Sequence, residues 1–287
     1  MTVQDRWIDI GLRLHIREWP GHKIPFVLLH GLSSNCRTWA IVAQHLADAG
    51  HQVVTADQRG HGLSDKPTTG YDFATVTADL ARLLAALQLE SPIVVGQSWG
   101  GNVVLEFGAR YPQLAKGLGF VDGGFIDLQA RPNSTWDSIS SELKPPDLTG
   151  MPRTLLKHRL QASHPEWSEA GVEATLANFE TLADGTIRRQ LDLPNHLTIL
   201  RALWEQRPQA LYPQLTAPVL VAVADSGDDW TERKRRQVAE AQALIPQVQV
   251  HWFEATDHDI HVHRPQALAE LFLQAVEGGI WPASVGS

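Results

Sequence analysis

Pro92-Ile93-Val94-Val95-Gly96-Gln97-Ser98-Trp99-Gly100-Gly101 passes from a short apolar run, through a Gly-x-Ser-x-Gly turn, into an amphipathic segment. A β-strand that stops abruptly and hands over to a helix explains this order. Pro92 to Val95 is strand-length and apolar. Beyond Ser98, Val103, Val104, Phe107 and Tyr111 recur at helical spacing until Pro112 closes the helix. A serine at the tip of such a turn sits in a strained backbone conformation with its hydroxyl exposed, and the residues two before and two after it must be small for the chain to double back. Gly96 and Gly100 meet that need, so Ser98 is a candidate nucleophile and not an ordinary loop serine.

The same alternation extends outward in both directions. Strand candidates are Pro25 to Leu29, Gln52 to Ala56, Pro92 to Val95, Gly117 to Val121, Pro218 to Val223 and Val248 to Phe253, and Leu12 to Trp19 has the period-two pattern of an antiparallel edge strand. Helix candidates lie between them at Trp39 to Ala49, Phe73 to Leu87, Gly100 to Tyr111, Thr231 to Leu244 and Pro265 to Val276. This order predicts an α/β fold, a mostly parallel sheet flanked by helices on both faces. The rhythm breaks between Phe125 and Leu215, where helical pieces occur without a clear strand. An insertion before the strand at 218–223 lies over the carboxyl edge of the sheet, where open α/β sheets bind ligands. Residues 126–213 are therefore expected to form a helical cap on a core of 1–125 and 214–287. Trp136, Leu155, Trp167, Phe179, Leu197 and Trp204 are assigned to the core of that cap and not to substrate contact.

Composition narrows the function. The chain has 287 residues, 43% of them hydrophobic, enough to bury a large core. A formal net charge of -8 argues against a nucleic-acid partner, which needs clustered cations to displace counterions from phosphates. The one basic run, Arg233-Lys234-Arg235-Arg236, reads as a solvated helix face. The single cysteine, Cys36, excludes an intrachain disulfide and reads as a small buried apolar residue. No apolar run approaches the roughly 20 residues a membrane helix needs, and Met1-Thr2-Val3-Gln4-Asp5 lacks the pattern of a signal peptide. A cytoplasmic protein acting on a small molecule, without a membrane partner, is expected.

Two further blocks carry a resemblance. His30-Gly31-Leu32 ends the run Phe26 to Leu29, and Asp57-Gln58-Arg59-Gly60-His61-Gly62-Leu63-Ser64-Asp65 follows the run Gln52 to Ala56. With the elbow at Ser98, they resemble the α/β-hydrolase superfamily, in particular its capped serine esterases and proline iminopeptidase-like members, over about 200 residues of core. The resemblance implies that the backbone N–H groups of Leu32 and Trp99 form an oxyanion hole, each worth about 3 to 4 kcal/mol in the transition state. It implies that His30 shapes its loop and is not the base. Asp57 and Arg59 are expected to pair and hold the second block.

In this family the triad runs serine, acid, histidine along the chain. The base is expected seven residues before a proline that opens the last helix, and His258 has that spacing to Pro265, with Asp257 where a glycine is usual. His261 and His263 are the less favoured alternatives. A zinc reading of His258, His261, His263 and Asp259 competes weakly with the complete hydrolase framework, so no metal and no cofactor are expected. The acid has two real candidates. Asp122 ends the strand Gly117 to Val121 ahead of Gly123-Gly124, as in a subset of capped hydrolases. Asp228 follows the strand Pro218 to Val223, the commoner family position, but Ala224-Asp225-Ser226-Gly227-Asp228-Asp229 departs by one residue from the usual Gly-x-x-Asp, leaving Asp225 and Asp229 as minor candidates. Asp122 is preferred, with Asp228 as the alternative.

A serine at the elbow argues against haloalkane dehalogenases and epoxide hydrolases, which resemble this chain in fold but place an aspartate there. His30-Gly31-Leu32-Ser33-Ser34 differs from the His-Gly-Gly-Pro loop of proline iminopeptidases, which ranks peptidase activity below esterase activity. The expected function is a serine hydrolase cleaving a small-molecule carboxylic ester or related acyl bond through an acyl-enzyme. A carbon-carbon bond hydrolase, a cofactor-free perhydrolase and a non-catalytic ligand receptor remain as alternatives on the same framework.

Overall fold

The computed structural model describes residues 2–227 and 229–281. Its strands are β1 (Gln4–Asp9), β2 (Arg13–Trp19), β3 (Lys23–Leu29), β4 (His51–Ala56), β5 (Ile93–Gln97), β6 (Gly117–Val121), β7 (Phe179–Thr181), β8 (Ile187–Arg189), β9 (Val219–Asp225) and β10 (Val248–Glu254). Eight of them form one sheet in the order β1-β2-β4-β3-β5-β6-β9-β10. The β1/β2 and β2/β4 pairs are antiparallel and the remaining pairs parallel, so only the β1–β2 end departs from a parallel sheet.

Helices follow the strands: α1 (Ala40–Asp48), α2 (Phe73–Ala86), α3 (Trp99–Arg110), α4 (Trp136–Glu142), α5 (Arg153–Ser163), α6 (Glu169–Leu176), α7 (Leu193–Glu205), α8 (Pro208–Leu211), α9 (Asp229–Leu244), α10 (Ile260–His263) and α11 (Pro265–Glu277). The central strands are apolar on both faces because both are covered. Val27, Leu29, Val94 and Val221 pack with Leu80 and Leu83 of α2 and Val103, Val104 and Phe107 of α3. The alternate residues Phe26, Leu28, Val95 and Leu220 pack with Val42 and Leu46 of α1 and Leu268 and Phe272 of α11.

The parallel strands fall within a residue or two of their expected bounds, but β1 has no counterpart in the sequence reading. Its burial is low, with Trp7 49% exposed, so it carries no apolar alternation to read. The segment between β6 and β9 holds α4 to α8, and it also contains the antiparallel β7–β8 hairpin, where no strand was expected. Three-residue strands are too short to show a period. Trp167 and Trp204 are buried as expected, whereas Leu155 is 42% exposed on α5 and contributes nothing to a core. No helix among the described residues is long and apolar enough to cross a membrane.

Candidate active site

Ser98 stands between β5 and α3 at φ 53° and ψ −123°, in the left-handed half of backbone space, with its N–H bonded to the Val121 carbonyl at 2.9 Å. The turn is too tight for side chains: a Cβ at Gly96 would lie 2.1 Å from the Gly100 carbonyl oxygen. Chain contact also constrains the far side of the serine, because a Cβ at Gly123 would lie 2.2 Å from the Ser98 carbonyl oxygen. The elbow is therefore built where the sequence placed it.

Asp122 leaves β6 with φ 43° and is fully buried. Parallel register sets Val121 against Ala222 of β9, which carries Asp122 alongside the next residues of that strand. The Asp122 N–H donates to the Ala222 carbonyl at 2.7 Å, and Oδ1 accepts from the Ala224 N–H at 3.0 Å. Oδ2 accepts from His258 Nδ1 at 2.6 Å and from Lys234 Nζ at 2.6 Å. Of the other acids considered, Asp225 turns to Arg235 at 2.8 Å and accepts from the Gly227 N–H. Asp228 and the side chain of Asp229 lie outside the described residues.

His258 sits in the loop after β10 with its side chain half exposed, and it shares a cavity of about 600 Å³ with Ser98, Leu32, Trp99 and Asp122. Loss of water around the ring disfavours its charge, but the hydrogen bond and negative charge of Asp122, helped by Asp259, outweigh this and raise its pKa above the ordinary histidine value. Burial likewise works against the Asp122 anion, yet His258 and Lys234 together pull its pKa below the ordinary aspartate value. The two neighbouring histidines point elsewhere. His261 is buried against Trp39, where burial lowers its pKa to about 4, and His263 Nε2 meets Glu166 at 2.8 Å. These divergent directions do not assemble the His258, His261, His263 and Asp259 side chains around a common metal position.

The two loops flanking the elbow are braced from a distance. His30 Nδ1–H donates to the Gly31 carbonyl while Nε2 accepts from the Gln58 N–H at 3.0 Å. His61 Nε2 accepts from the Ser33 N–H, and Ser33 Oγ meets His196 Nδ1 on α7 at 2.8 Å. The expected Asp57–Arg59 pair does not form. Asp57 accepts from His15 Nδ1 and from the Cys36 and Leu63 N–H groups, while Arg59 makes a two-pronged contact with Asp79 on α2 at 2.7 and 3.0 Å. Each finds a stronger partner across the fold than its neighbour in the loop. His15, Cys36 and Asp57 form a tight buried group with metal-type atoms within 4.8 Å of one another. Burial pushes the Cys36 thiol well up, keeping it protonated, and the Asp57 oxygens are already filled by hydrogen bonds, so this trio braces the fold and does not suit a cation.

Lys234 is the residue the sequence reading missed. It belongs to the basic run read as a solvated face, yet its side chain is 13% exposed and reaches Asp122. The signal was present: among the described residues Thr231, Val238 and Ala241 of α9 are buried, as is Ile245 just beyond its end, and 234 falls on the same i, i+3, i+7 stripe. Asp257 was also noted only as a departure from the family pattern. Its carboxylate meets His164 Nδ1 at 3.1 Å, tying the His258 loop to the segment inserted between β6 and β9.

The apolar wall of the cavity comes largely from Leu32, Phe125, Leu128, Leu143, Leu200 and Leu203, the last four from the inserted segment 126–213. None of Trp136, Leu155, Trp167, Phe179, Leu197 or Trp204 lines it. The sheet order, the serine elbow and the Asp–His pair define a hydrolase-type α/β protein. The family model described as alpha/beta hydrolase fold matches residues 24–265, and the chain belongs to that family. It is 36% identical over 118 residues to 2-(acetamidomethylene)succinate hydrolase from Mesorhizobium japonicum, covering 41% of this chain and 42% of that protein. It is 36% identical over 101 residues to a non-heme chloroperoxidase from Streptomyces lividans, covering 35% and 37%. The chain thus spans about two fifths of the length of either relative. The crystal structure of E-2-(acetamidomethylene)succinate hydrolase superposes with a TM-score of 0.80 at 22% identity, covering 96% of this chain and 100% of that one, which is a likeness of fold.

Proposed function

We propose that the protein is a serine hydrolase of small-molecule carboxylic esters, in which Ser98, His258 and Asp122 act as nucleophile, base and acid. The observation that carries the reading is the 2.6 Å contact from His258 Nδ1 to Asp122 Oδ2 in the cavity that also holds the strained Ser98. With Nδ1–H held by the carboxylate, Nε2 is the free base. It takes the Ser98 proton as Oγ attacks the ester carbonyl, and Asp122 balances the imidazolium. The N–H groups of Leu32 and Trp99 receive the developing oxyanion. Collapse expels the alcohol, which takes the proton back from Nε2, and water attacks the acyl-serine with His258 again as base. Residues 126–213 act as a cap, and its Leu143, Leu200 and Leu203 select an apolar acyl group. The test is labelling by a fluorophosphonate together with hydrolysis of p-nitrophenyl acetate and butyrate by wild type and Ser98→Ala. Loss of both in the variant is expected, and equal rates in the two proteins would overturn the reading.

A second reading, perhydrolysis, draws on the relative named a non-heme chloroperoxidase. Hydrogen peroxide attacking the same acyl-serine in place of water releases a peracid and regenerates Ser98. Peracid formation from the ester in peroxide, lost in Ser98→Ala, would support this branch.

A further inference from the structure

Asp122 Oδ2 is shared. The oxygen that accepts from His258 Nδ1 at 2.6 Å also accepts from Lys234 Nζ at 2.6 Å, and the same ammonium donates to the Ala224 carbonyl at 2.9 Å. Ala224 in turn donates its N–H to Oδ1. Lys234 and Ala224 therefore clamp both carboxylate oxygens between the ends of β6 and β9, at a residue whose φ of 43° would not hold itself. A fully buried carboxylate needs a counter-charge, and one imidazole that must cycle between neutral and charged cannot supply it throughout.

We propose that Lys234 is a positioning residue for this site: by sharing the Asp122 carboxylate with His258, its ammonium locks the carboxylate in place and makes the imidazole face an ion pair instead of a lone anion. This rests on the hydrolase reading for its consequence in turnover, though not for the contact itself. A lone buried carboxylate would hold the imidazolium proton tightly and leave the base charged over more of the pH range. The fixed positive charge of Lys234 opposes that, in the direction expected of a like charge. Asp122 and Lys234 face His258 from the end of β6 and from α9, Asp257 and Asp259 stand on its own loop, and His261 stands on α10. Arg233 and His164 line the same cavity. These other groups are common to wild type and variant, so the difference between two titrations isolates Lys234.

The experiment follows the His258 ring protons by NMR against pH, together with kcat and KM for p-nitrophenyl butyrate across pH, in wild type, Lys234→Met and Lys234→Arg. In Lys234→Met the His258 titration and the acid limb of kcat/KM both move to higher pH. Below the wild-type midpoint, kcat/KM relative to its own plateau falls about three- to tenfold. KM for this neutral ester stays near wild type, and Lys234→Arg returns the midpoint toward wild type. Lys234→Gln, which keeps a donor without charge, reproduces the shift should the methionine variant fail to fold. An unchanged midpoint with only a lower Tm would make Lys234 a structural counter-ion and overturn the proposal. A raised KM with an unchanged midpoint would make it a substrate ligand and overturn it equally. The NMR titration needs no turnover, so the fate of Lys234 is separable from that of the hydrolase reading: a moved titration alongside ester hydrolysis indifferent to Ser98→Ala sinks only the latter.

Discussion

Replacing Asp122 by Asn changes the charge of the acid and keeps its shape. Oδ1 accepts the Ala224 N–H at 3.0 Å, so the carboxamide oxygen of the variant stays on that side. The new NH2 then faces both His258 Nδ1 and Lys234 Nζ, two groups that donate to Oδ2 in the native protein. To accept from this NH2, His258 must move its proton to Nε2, which removes the lone pair that takes the Ser98 proton. A wrong tautomer of this kind costs on the order of 10⁴ in kcat, about 5.5 kcal/mol at 1.36 kcal/mol per tenfold. Lys234 loses its counter-charge as well. Because it borders the cavity and can turn toward water, the stability cost falls near the low end for a broken buried pair, about 1 to 3 kcal/mol, or several degrees in Tm. The two effects separate in the double variant Asp122→Asn with Lys234→Met: Tm recovers, because no unpaired ammonium remains, while kcat does not. Steady-state hydrolysis of p-nitrophenyl butyrate and thermal melts on the three proteins are the assay. If Asp122→Asn retained kcat within about tenfold of wild type at unchanged Tm, the acid would lie elsewhere, with Asp228 next in line.

Gly96→Ala places a methyl 2.1 Å from the Gly100 carbonyl oxygen, and the elbow must open to admit it. Urea melts should show about 2 to 3 kcal/mol of lost stability, and kcat should drop roughly 100-fold as Ser98 shifts. Leu203→Phe fills the apolar cavity, so the kcat/KM ratio of p-nitrophenyl octanoate to acetate should fall about tenfold or more while fluorophosphonate labelling of Ser98 persists. Asp57→Ala strips the partner from buried His15 Nδ1, whose ring keeps only Asp5 at Nε2, and from the buried Cys36 and part-buried Leu63 amides, costing about 3 to 5 kcal/mol at neutral pH. The Asp57 carboxyl works against its own burial, but its hydrogen bonds hold its pKa well below the ordinary range. Its stabilisation is therefore present above that range and lost as pH falls toward the native value, and the wild-type advantage in denaturant melts should shrink on acidification.

Local rules made much of this site legible. The elbow needs residues of particular size at fixed short offsets, so Gly96, Ser98 and Gly100 announce themselves, and strands apolar on both faces with amphipathic helices between them dictate the layered parallel sheet. His258 came from its spacing to Pro265 through family resemblance, and the structure sets its ring against a carboxylate. Which carboxylate the sequence only narrowed, preferring Asp122 over Asp228 without deciding between them. Asp122 and His258 meet because parallel register sets Val121 beside Ala222, and Glu254 at the end of β10 beside Asp225, so three strand ends far apart in the chain finish side by side. The partners of Arg59, Ser33 and Lys234, namely Asp79, His196 and Asp122, were hidden for the same reason. Periodicity along one segment shows which face is buried, but the group a buried charge meets is set by where other segments end in space, and that is decided only when the sheet assembles.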